Sequence, residues 1–395
     1  MQAGKAISIP PPSTLGQYWL LDPNIVFLNH GSFGACPIAV LQAQQQWRDR
    51  LERQPLQFLG CDIESLLDQS RQELATFVGA NASDLVFVPN ATTGVNAVLR
   101  SLQFQPGDQL LTTNHEYNAC RNALNYVADR DRLDIVVAEL PWPLAEPNQV
   151  IDAILAKITP KTRLVLVDHV TSQTGLVLPL VPLVAELRQR GIEVLVDGAH
   201  APGMLPLSLQ ALGATYYTGN CHKWLCSPKG AAFLYVQADR QAHIRPLTIS
   251  HGANADRPDR SRFHLEFDWM GTDDPTAYLT VPAAMQWLAT LLPGGWSALM
   301  QHNRSLAIAA RQILTAALQV EPPCPDTMLG SLAVVPLPAG DWRSLHDRLL
   351  SQYQIEVPII PWQGGRLLRI SAQIYNTLPQ YDYLARSLLA CLELE

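Results

Sequence analysis

Lysine is rare in this sequence, and one lysine lies where its amine could act as a nucleophile. The 395 residues include only five lysines, and Lys223 lies among Cys221, His222 and Trp224 in a half-apolar stretch. Apolar surroundings remove water from an amine and lower its pKa, as the formation of a Schiff base with a carbonyl compound requires. A His-Lys-Trp sequence also occurs on ordinary protein surfaces, so it does not by itself indicate a reactive lysine. The role of Lys223 must be inferred from the other polar side chains predicted to lie near it.

Other polar side chains follow predicted strands, at the points where those strands end. Thr92 and Thr93 follow one strand at the start of a predicted helix, where backbone amides and hydroxyl groups form an anion site. His115 and Tyr117 follow the next strand and offer an imidazole or an aromatic plate. Asp197 closes an entirely apolar strand, where a carboxylate is costly to bury unless it has a cationic partner.

These groups should meet, because ligands of open α/β sheets bind beyond the carboxyl ends of the strands. An anion site, an aromatic plate, a buried carboxylate and the amine of Lys223 together fit one ligand, pyridoxal phosphate. The phosphate would take the helix N-terminus, the aromatic ring would stack on the pyridine, and the carboxylate would pair with the pyridine nitrogen. A dinucleotide-binding enzyme is the competing interpretation, but no G-x-G-x-x-G sequence opens a helix.

Short apolar runs alternate with helical patterns between residues 85 and 236, which predicts a mostly parallel sheet with helices on both faces. We therefore predict the α/β class, with a mostly parallel seven-stranded sheet in a large domain and a small α+β C-terminal domain. The predicted strands of the sheet are 85–88, 109–112, 135–138, 163–168, 192–196, 215–218 and 231–236. The predicted boundaries are 1–20 for an N-terminal arm, 21–285 for the large domain and 286–395 for the small domain.

Less regular stretches separate the predicted sheet from the small domain. Residues 251–262 are rich in proline and arginine and predict a polar, mobile loop. A long helical region follows at about 276–319, and Pro293 with two glycines after it breaks the helix. The remaining pattern predicts strands 331–337, 355–360 and 367–370 and helices 342–352 and 380–392.

Composition excludes several other classes of protein. The formal net charge of −7 and the lack of a basic run argue against a nucleic-acid partner. No apolar run reaches the roughly 18 residues of a membrane span, and the N-terminus lacks the apolar core of a signal peptide. The seven cysteines form no C-x-x-C pair, which favours reduced thiols in the cytoplasm, and we predict no metal centre.

The ordered motifs of the chain resemble class-V aminotransferases of the fold-type-I pyridoxal-phosphate superfamily, and among them isopenicillin N epimerase-like proteins. The resemblance extends from about residue 20 to the C-terminus. The motifs that carry it are LNHGSFG at 28–34, HEYNA at 115–119, VDGAHAPGM at 196–204, NCHKWL at 220–225, GTDDP at 271–275 and LRISAQIYNT at 368–377.

The resemblance implies roles for the residues at matching positions. Lys223 is the Schiff-base lysine and proton carrier, and Asp197 pairs with the pyridinium nitrogen. Arg369 grips the α-carboxylate of the substrate, as its two-pronged geometry allows, and Asn29 and His30 lie near the substrate. The other implied cofactor contacts are Tyr117 on the ring, Ser172 and His200 near the phenolic oxygen, and Thr92, Thr93, Asn220, His222 and Thr272 on the phosphate.

The resemblance also implies a homodimer with shared active sites, because the residue that Thr272 matches reaches the phosphate of the other subunit. Persulfide chemistry is not expected. Cysteine desulfurases of this class need a nucleophilic cysteine shortly before the position of Arg369, whereas Cys324 is the nearest upstream cysteine, 45 residues before it. Cys221 and Cys226 flank Lys223, and we expect both to be buried packing residues.

The leading interpretation is an epimerase or racemase that acts at the Cα of an amino acid. Lys223 would remove the Cα proton, and a second acid would return a proton on the opposite face; Tyr117, His30 and Tyr375 are candidates for that acid. The alternatives are a C–S β-lyase, acting on cysteine, cystine or a sulfoxide conjugate, and an aminotransferase. A cofactor-binding regulatory domain is a non-enzymatic alternative, but such proteins carry a DNA-binding module, and none is recognisable here.

Overall fold

The computed structural model describes residues 9–394. The strands in this range are β1 (Val26–Phe27), β2 (Leu85–Val88), β3 (Gln109–Thr113), β4 (Asp134–Ala138), β5 (Thr162–Asp168), β6 (Glu193–Asp197), β7 (Tyr216–Asn220), β8 (Ala232–Val236), β9 (Leu332–Leu337), β10 (Ile355–Glu356), β11 (Ile359–Trp362) and β12 (Gly365–Ser371). β2 to β8 form one seven-stranded sheet of order β2-β8-β7-β6-β5-β3-β4. Only β8 runs antiparallel to its two neighbours, so the predicted mostly parallel seven-stranded sheet is confirmed.

Helices cover both faces of this sheet. The helices of the described range are α1 (His30–Phe33), α2 (Ile38–Arg53), α3 (Pro55–Gln57), α4 (Ile63–Val78), α5 (Ala91–Ser101), α6 (Asn118–Asp131), α7 (Asn148–Leu155), α8 (Leu180–Gln189), α9 (Leu209–Leu212), α10 (Arg262–Phe267), α11 (Thr276–Leu279), α12 (Val281–Ala289), α13 (Gly295–Leu318), α14 (Trp342–Tyr353) and α15 (Leu378–Leu392). None of the helices described in residues 9–394 is both long and apolar enough to cross a bilayer.

The central strands are buried on both sides, and their successive side chains enter two different hydrophobic cores. In β5, Leu164 and Leu166 contact one core, whereas Val165 and Val167 contact the other. This alternation follows from the two-residue period of a strand and explains why the strands are continuous apolar runs in the sequence. The parallel order also brings the carboxyl ends of β3, β5, β6 and β7 to one edge of the sheet.

The C-terminal part forms a second, smaller layer. β9, β12 and β11 pair antiparallel in the order β11-β12-β9, and α13 and α15 pack beside them. The single predicted strand 355–360 is wrong. The chain splits there at Pro358 into β10, which pairs with β1, and β11, which pairs with β12. Proline has no N–H to donate to a strand neighbour, which explains the break.

The N-terminal segment is attached to the C-terminal part rather than to the large sheet. The backbone N–H of Ser13 donates to the Tyr375 carbonyl at 2.8 Å. The Trp19 ring packs edge-on against the Tyr375 ring at a centroid distance of 5.1 Å. Residues 1–8 of the predicted arm 1–20 lie outside the described residues.

The stretch predicted as a mobile loop is held to α4 by charged side chains. It contains a helical turn at His251–Asn254. Arg260 bonds to Asp68 of α4 at 2.8 Å and to Asp268 at 2.5 Å, and Arg71 of α4 also bonds to Asp268 at 2.5 Å. The side chains of Arg71 and Asp268 are only 2% and 6% exposed, so this pair is shielded from solvent.

Removing one partner of this buried pair should destabilise the protein more than removing a surface partner. Arg71→Ala leaves Asp268 buried with Arg260 as its remaining cation, so we expect the free energy of unfolding to fall by about 3 kcal/mol. The control is Arg190→Ala, which breaks a pair with Glu186 whose side chains are 44% and 46% exposed. That change should cost at most about 0.5 kcal/mol. Urea unfolding measures both, and equal losses would contradict the structural role of Arg71.

Candidate active site

A cavity of about 330 Å³ lies at the edge where β3, β5, β6 and β7 end. Its volume lies within the range of small-molecule sites. Eight of the predicted site residues line it, namely Thr92, Tyr117, Ser172, Asp197, His200, Asn220, His222 and Lys223. The structure therefore brings together the residues on which the cofactor prediction rests. Asp168, Ser32 and Phe33 also line the cavity and were not predicted.

The amine of Lys223 is held next to a neutral imidazole. Its Nζ atom lies 3.1 Å from Nε2 of His200, and the indole N–H of Trp224 donates to Nδ1 of His200 at 3.3 Å. Burial, with Lys223 as a further cause, holds the pKa of His200 well below its usual range. Burial, and then the positive charge of Arg369, lowers the pKa of Lys223 to about 8. With Nδ1 accepting, the proton of the neutral His200 lies on Nε2, so His200 can donate to an uncharged lysine amine.

A second histidine holds the backbone of Lys223 from behind the cavity. His30 donates from Nε2 to the Lys223 carbonyl at 3.0 Å, and the Tyr375 hydroxyl donates to its Nδ1 at 2.8 Å. Burial lowers the pKa of His30 to about 3, so the ring stays neutral. Neither His30 nor Tyr375 lines the cavity, and of the three candidates for a second acid only Tyr117 does.

Glycine is required where the chain passes under this turn. Gly34 has a φ of +73°, and a Cβ atom there would lie 2.0 Å from the backbone oxygen of His222. Any side chain at this position would push the lysine turn away from the sheet. The glycine that ends the motif at 28–34 is thus required by the close approach of the backbone at His222, in addition to any chemical role of the motif.

Arg369 is a buried cation that has no carboxylate partner among the residues that the structure describes. Its side chain donates to the Ser172 carbonyl and, at 2.9 Å, to the hydroxyl of Ser32, and both serines line the cavity. Its Nε atom has no partner among the described residues, and burial lowers the pKa of Arg369 to about 10. Asn29 does not contact Arg369 directly but accepts a hydrogen bond from the hydroxyl of Ser32 at 2.5 Å. A buried, unpaired guanidinium beside a cavity is suited to an anionic ligand.

The N-terminus of α5 forms another part of the cavity wall. Asn90 caps this helix and accepts from the backbone N–H of Thr93 at 2.8 Å and from its hydroxyl at 3.0 Å. Asn220 accepts from the Ala91 amide at 2.8 Å, so it fixes the helix start to β7. His222 donates from Nδ1 to the Ala231 carbonyl at 3.0 Å, which leaves its Nε2 atom for a ligand. Thr92 lines the cavity, whereas Thr93 does not.

Asp197 lies in a group of acidic side chains that the sequence did not reveal as a group. It accepts from the Ala199 amide at 2.9 Å and from the Cys120 thiol at 3.1 Å. Asp168 ends β5 in register with Asp197, and a carboxylate oxygen of Glu116 lies within 4.8 Å of the thiol and of Asp197. The rule that selected Asp197, a carboxylate that closes an apolar strand, applies equally to Asp168 and could have found it.

Burial keeps the two neighbouring carboxyl groups protonated. Burial, and then the charge of Asp197, raises the pKa of Glu116 to about 8. Burial, followed by Glu116 and Asp197, raises the pKa of Asp168 well above its usual range. No cationic side chain lies within hydrogen-bond distance of Asp197 among residues 9–394. A buried carboxylate with only neutral protein donors fits the ring nitrogen of the predicted cofactor.

Thr272 lies apart from these residues. It is exposed on the loop before α11 and does not line the cavity of its own chain. The loop is fixed by Asp274, which accepts from the Thr276 amide at 2.9 Å and pairs with Arg48 at 3.1 Å.

The fold and cofactor chemistry define the class of protein, a fold-type-I pyridoxal-phosphate enzyme. The particular family follows from its sequence. A model of the class-V aminotransferase family matches residues 34–382, and the chain belongs to this family. The predictions of the family, of an enzyme and of pyridoxal phosphate as cofactor are thereby confirmed.

Relatives of the chain carry more than one activity in their names. It is 36% identical to isopenicillin N epimerase of Amycolatopsis lactamdurans, over 93% of this chain and 95% of the relative. It is 29% identical to a probable chloroplastic L-cysteine desulfhydrase of Arabidopsis thaliana, over 92% of this chain and 82% of the relative. A solved complex of the cystine C–S lyase C-DES superposes with a TM-score of 0.81 at 23% identity, covering 92% of this chain and 97% of that chain, which shows a shared fold.

Lys223 should be the lysine that binds the cofactor. With a pKa of about 8, roughly a tenth of this amine is uncharged at pH 7, far more than for a solvated lysine. Adding pyridoxal phosphate and then borohydride should therefore label Lys223, and the labelling rate should rise with pH and level off above about pH 8. Peptide mass spectrometry locates the label. The control is Lys223→Ala, and a label on Lys229 in the unmodified protein would contradict the assignment.

Proposed function

We propose that the protein is a pyridoxal-phosphate enzyme that acts at the Cα of an amino acid and inverts that centre, as an epimerase or racemase. The observation that carries this proposal is the presence of two proton-bearing groups, Lys223 and Tyr117, on the walls of one cavity. They follow β7 and β3, and two strands lie between these in the sheet. Neighbouring strands lie about 4.8 Å apart, so the ends of β3 and β7 are separated by three spacings, or roughly 14 Å. A ligand can therefore lie between the two side chains.

The cavity residues suit the two ends of the cofactor. We assign the phosphate to the N-terminus of α5, with Thr92 and with His222 in the protonated form that the phosphate charge would favour, and we assign the ring nitrogen to Asp197. Ser172 and His200 take the phenolic oxygen. Asn220 and Thr93 act on the phosphate end through the helix start that they fix. When bound, the cofactor supplies an electron sink that stabilises negative charge at Cα.

The substrate carboxylate is assigned to Arg369. Its unpartnered Nε atom and its contacts with Ser32 and Ser172 place a fixed positive charge beside the cavity. Asn29 supports this site by orienting Ser32, and His30 supports it by holding the Lys223 carbonyl. Both residues are thus assigned a positioning role near the substrate rather than direct contact with it.

Inversion needs a proton to leave from one face of Cα and to return on the other. Lys223 is the base, because its lowered pKa of about 8 makes an uncharged amine available near neutral pH. We assign Tyr117 as the acid for the other face, because the residue lines the cavity and is 42% exposed, so a proton from water can reach it. The epimerases among the relatives support this choice of reaction.

β-Elimination from a cysteine derivative is the second candidate. It uses the same proton abstraction by Lys223 and then expels the sulfur group, and relatives named L-cysteine desulfhydrase and hercynylcysteine sulfoxide lyase support it. Persulfide formation on the protein is not supported. The cavity-lining residues of the described chain include no cysteine, and both Cys221 and Cys226 are buried packing residues.

Product analysis in deuterated water should separate these reactions. Across a panel of L-amino acids and cysteine conjugates, we expect the preferred substrate to yield its opposite epimer with deuterium at Cα. Chiral chromatography and mass spectrometry measure both properties. Formation of pyruvate, ammonia and a thiol would instead identify β-elimination, and formation of a keto acid with the aminated cofactor would identify transamination.

Tyr117→Phe is the matched variant for the role of the second acid. Because only the phenolic proton is lost, we expect deuterium exchange with retention to continue while inversion falls by about 100-fold or more. Lys223→Ala should abolish both exchange and inversion. Inversion at the wild-type rate in Tyr117→Phe would remove Tyr117 from the mechanism.

We further propose that the active site is shared between two copies of the chain, with Thr272 reaching the partner's phosphate. The support is positional, because Thr272 is exposed, lies outside the cavity of its own chain and stands on a loop fixed before a helix. Two-fold dimers are the commonest closed assembly of identical chains.

Mixed dimers should reveal this sharing. We expect Lys223→Ala and Thr272→Arg homodimers to be inactive, the second because a long cation displaces the hydroxyl at the phosphate. In a mixed dimer one of the two sites carries neither change, so up to half of the wild-type activity per dimer should return. Turnover after co-refolding, with mass spectrometry to count mixed dimers, checks this. Mixed dimers that form without activity would disprove the shared site.

A further inference from the structure

Cys120 of α6 makes a direct contact with the carboxylate that faces the cofactor ring. Its Sγ atom lies 3.1 Å from Oδ2 of Asp197, and it is fully buried. Burial, and then the charge of Asp197, raises the pKa of Cys120 well above its usual range, so the thiol keeps its proton and donates it. The other oxygen of Asp197 accepts from the Ala199 amide at 2.9 Å. Each oxygen of this carboxylate therefore has one protein donor.

Each of the two neighbouring carboxyl groups, unlike Asp197, has one buried oxygen without a hydrogen-bond partner among the described residues. Asp168 lies beside Asp197 in the strand register, and its Oδ2 atom is buried without a partner among the described residues. Glu116 bonds to the Thr112 hydroxyl at 3.0 Å through one oxygen, and its other oxygen is also buried without a partner. Like charges this close in a buried setting cannot all ionise, so donors decide which group carries the charge.

We infer that Cys120 is a positioning residue whose thiol, with the Ala199 amide, makes Asp197 the one carboxylate of this cluster and aims it at the ring nitrogen. This inference rests on the proposed role of Asp197 towards the cofactor. The thiol acts through Asp197 and does not touch the reacting atoms. The thiol contributes a hydrogen-bond donor and no charge. A lysine or arginine in the same place would contribute a donor but would also add a positive charge.

A metal ion bound by Glu116, Cys120 and Asp197 does not explain the geometry as well. Their ligand atoms lie within 4.8 Å of one another. However, a sulfur and an oxygen bound to one zinc ion at about 2.3 and 2.0 Å in tetrahedral geometry would lie roughly 3.5 Å apart. The separation of 3.1 Å between Cys120 and Asp197 is that of a direct hydrogen bond.

The electrostatic surroundings of Asp197 determine what a change at Cys120 should do. The titratable groups that act on Asp197 are Glu116, Cys120, Asp168, Tyr217 and Lys223. Without the thiol, negative charge moves from Asp197 towards Asp168 and Glu116, so the proton on the ring nitrogen is held less tightly. The protonated linkage between Lys223 and the cofactor then loses a neighbouring positive charge and gives up its own proton at a higher pH.

The experiment compares three variants as cofactor-loaded protein. In Cys120→Ala, the pH midpoint of the visible absorbance change should rise by about one unit relative to wild type. Cys120→Ser restores a donor and should return the midpoint most of the way to the wild-type value. Cys391→Ala makes the same change at a buried cysteine in α15 and should leave the midpoint unchanged. A wild-type midpoint in Cys120→Ala, or an equal shift in Cys391→Ala, overturns the inference.

Infrared spectroscopy gives a second readout that does not depend on turnover or on loading of the variant. The S–H stretching band that disappears in Cys120→Ala should lie at lower frequency than the band that disappears in Cys221→Ala, because donation to a carboxylate weakens the S–H bond, whereas burial alone raises the pKa of Cys221. Equal frequencies overturn the inference. If wild-type protein forms no chromophore with pyridoxal phosphate, the proposed function fails, whereas a normal wild-type chromophore with no effect of Cys120 contradicts the inference alone.

Discussion

A charge removed from water must find a partner, and the active-site edge of the sheet is organised by that requirement. Asp197 ends β6 and Lys223 follows the neighbouring strand β7, yet no direct ion pair joins them among the described residues. The carboxylate is satisfied by a thiol and a backbone amide, and the amine by the imidazole of His200. Neutral donors and acceptors thus stabilise both groups without pairing either with an opposite charge of the protein, so both remain available to a ligand.

Much of the fold could be predicted because buried parallel strands are continuous apolar runs. All seven strands of the large sheet were predicted within two residues at each end, since β-branched residues flanked by turns leave few alternatives. The segment 355–360 was predicted as one strand, although Pro358 marks a break. Its two halves pair with β1 and β12, and pairing between distant parts of a chain is not visible in local periodicity.

The site was predictable to the extent that its residues follow strand ends. Lys223, Asp197 and Thr92 do so, and all three line the cavity. Cys120 lies on a helix, where a cysteine looks like any small core residue, and only the packing of α6 on the sheet brings it to Asp197. His30 belonged to a recognisable motif, but its position behind the lysine turn depends on Tyr375, far away in sequence.

The hydrogen bond from Tyr375 to His30 spans 345 residues of sequence. A ribosome adds about 5–20 residues per second, so His30 waits roughly 20–70 s for its partner during synthesis. The large sheet can form in that interval, since its last strand ends at Val236. The Tyr375 hydroxyl that bonds to His30 becomes available only when β12 and the residues up to 375 have emerged. A nascent chain can therefore have its sheet well before the hydrogen bonds that join Tyr375, His30 and the Lys223 carbonyl are complete.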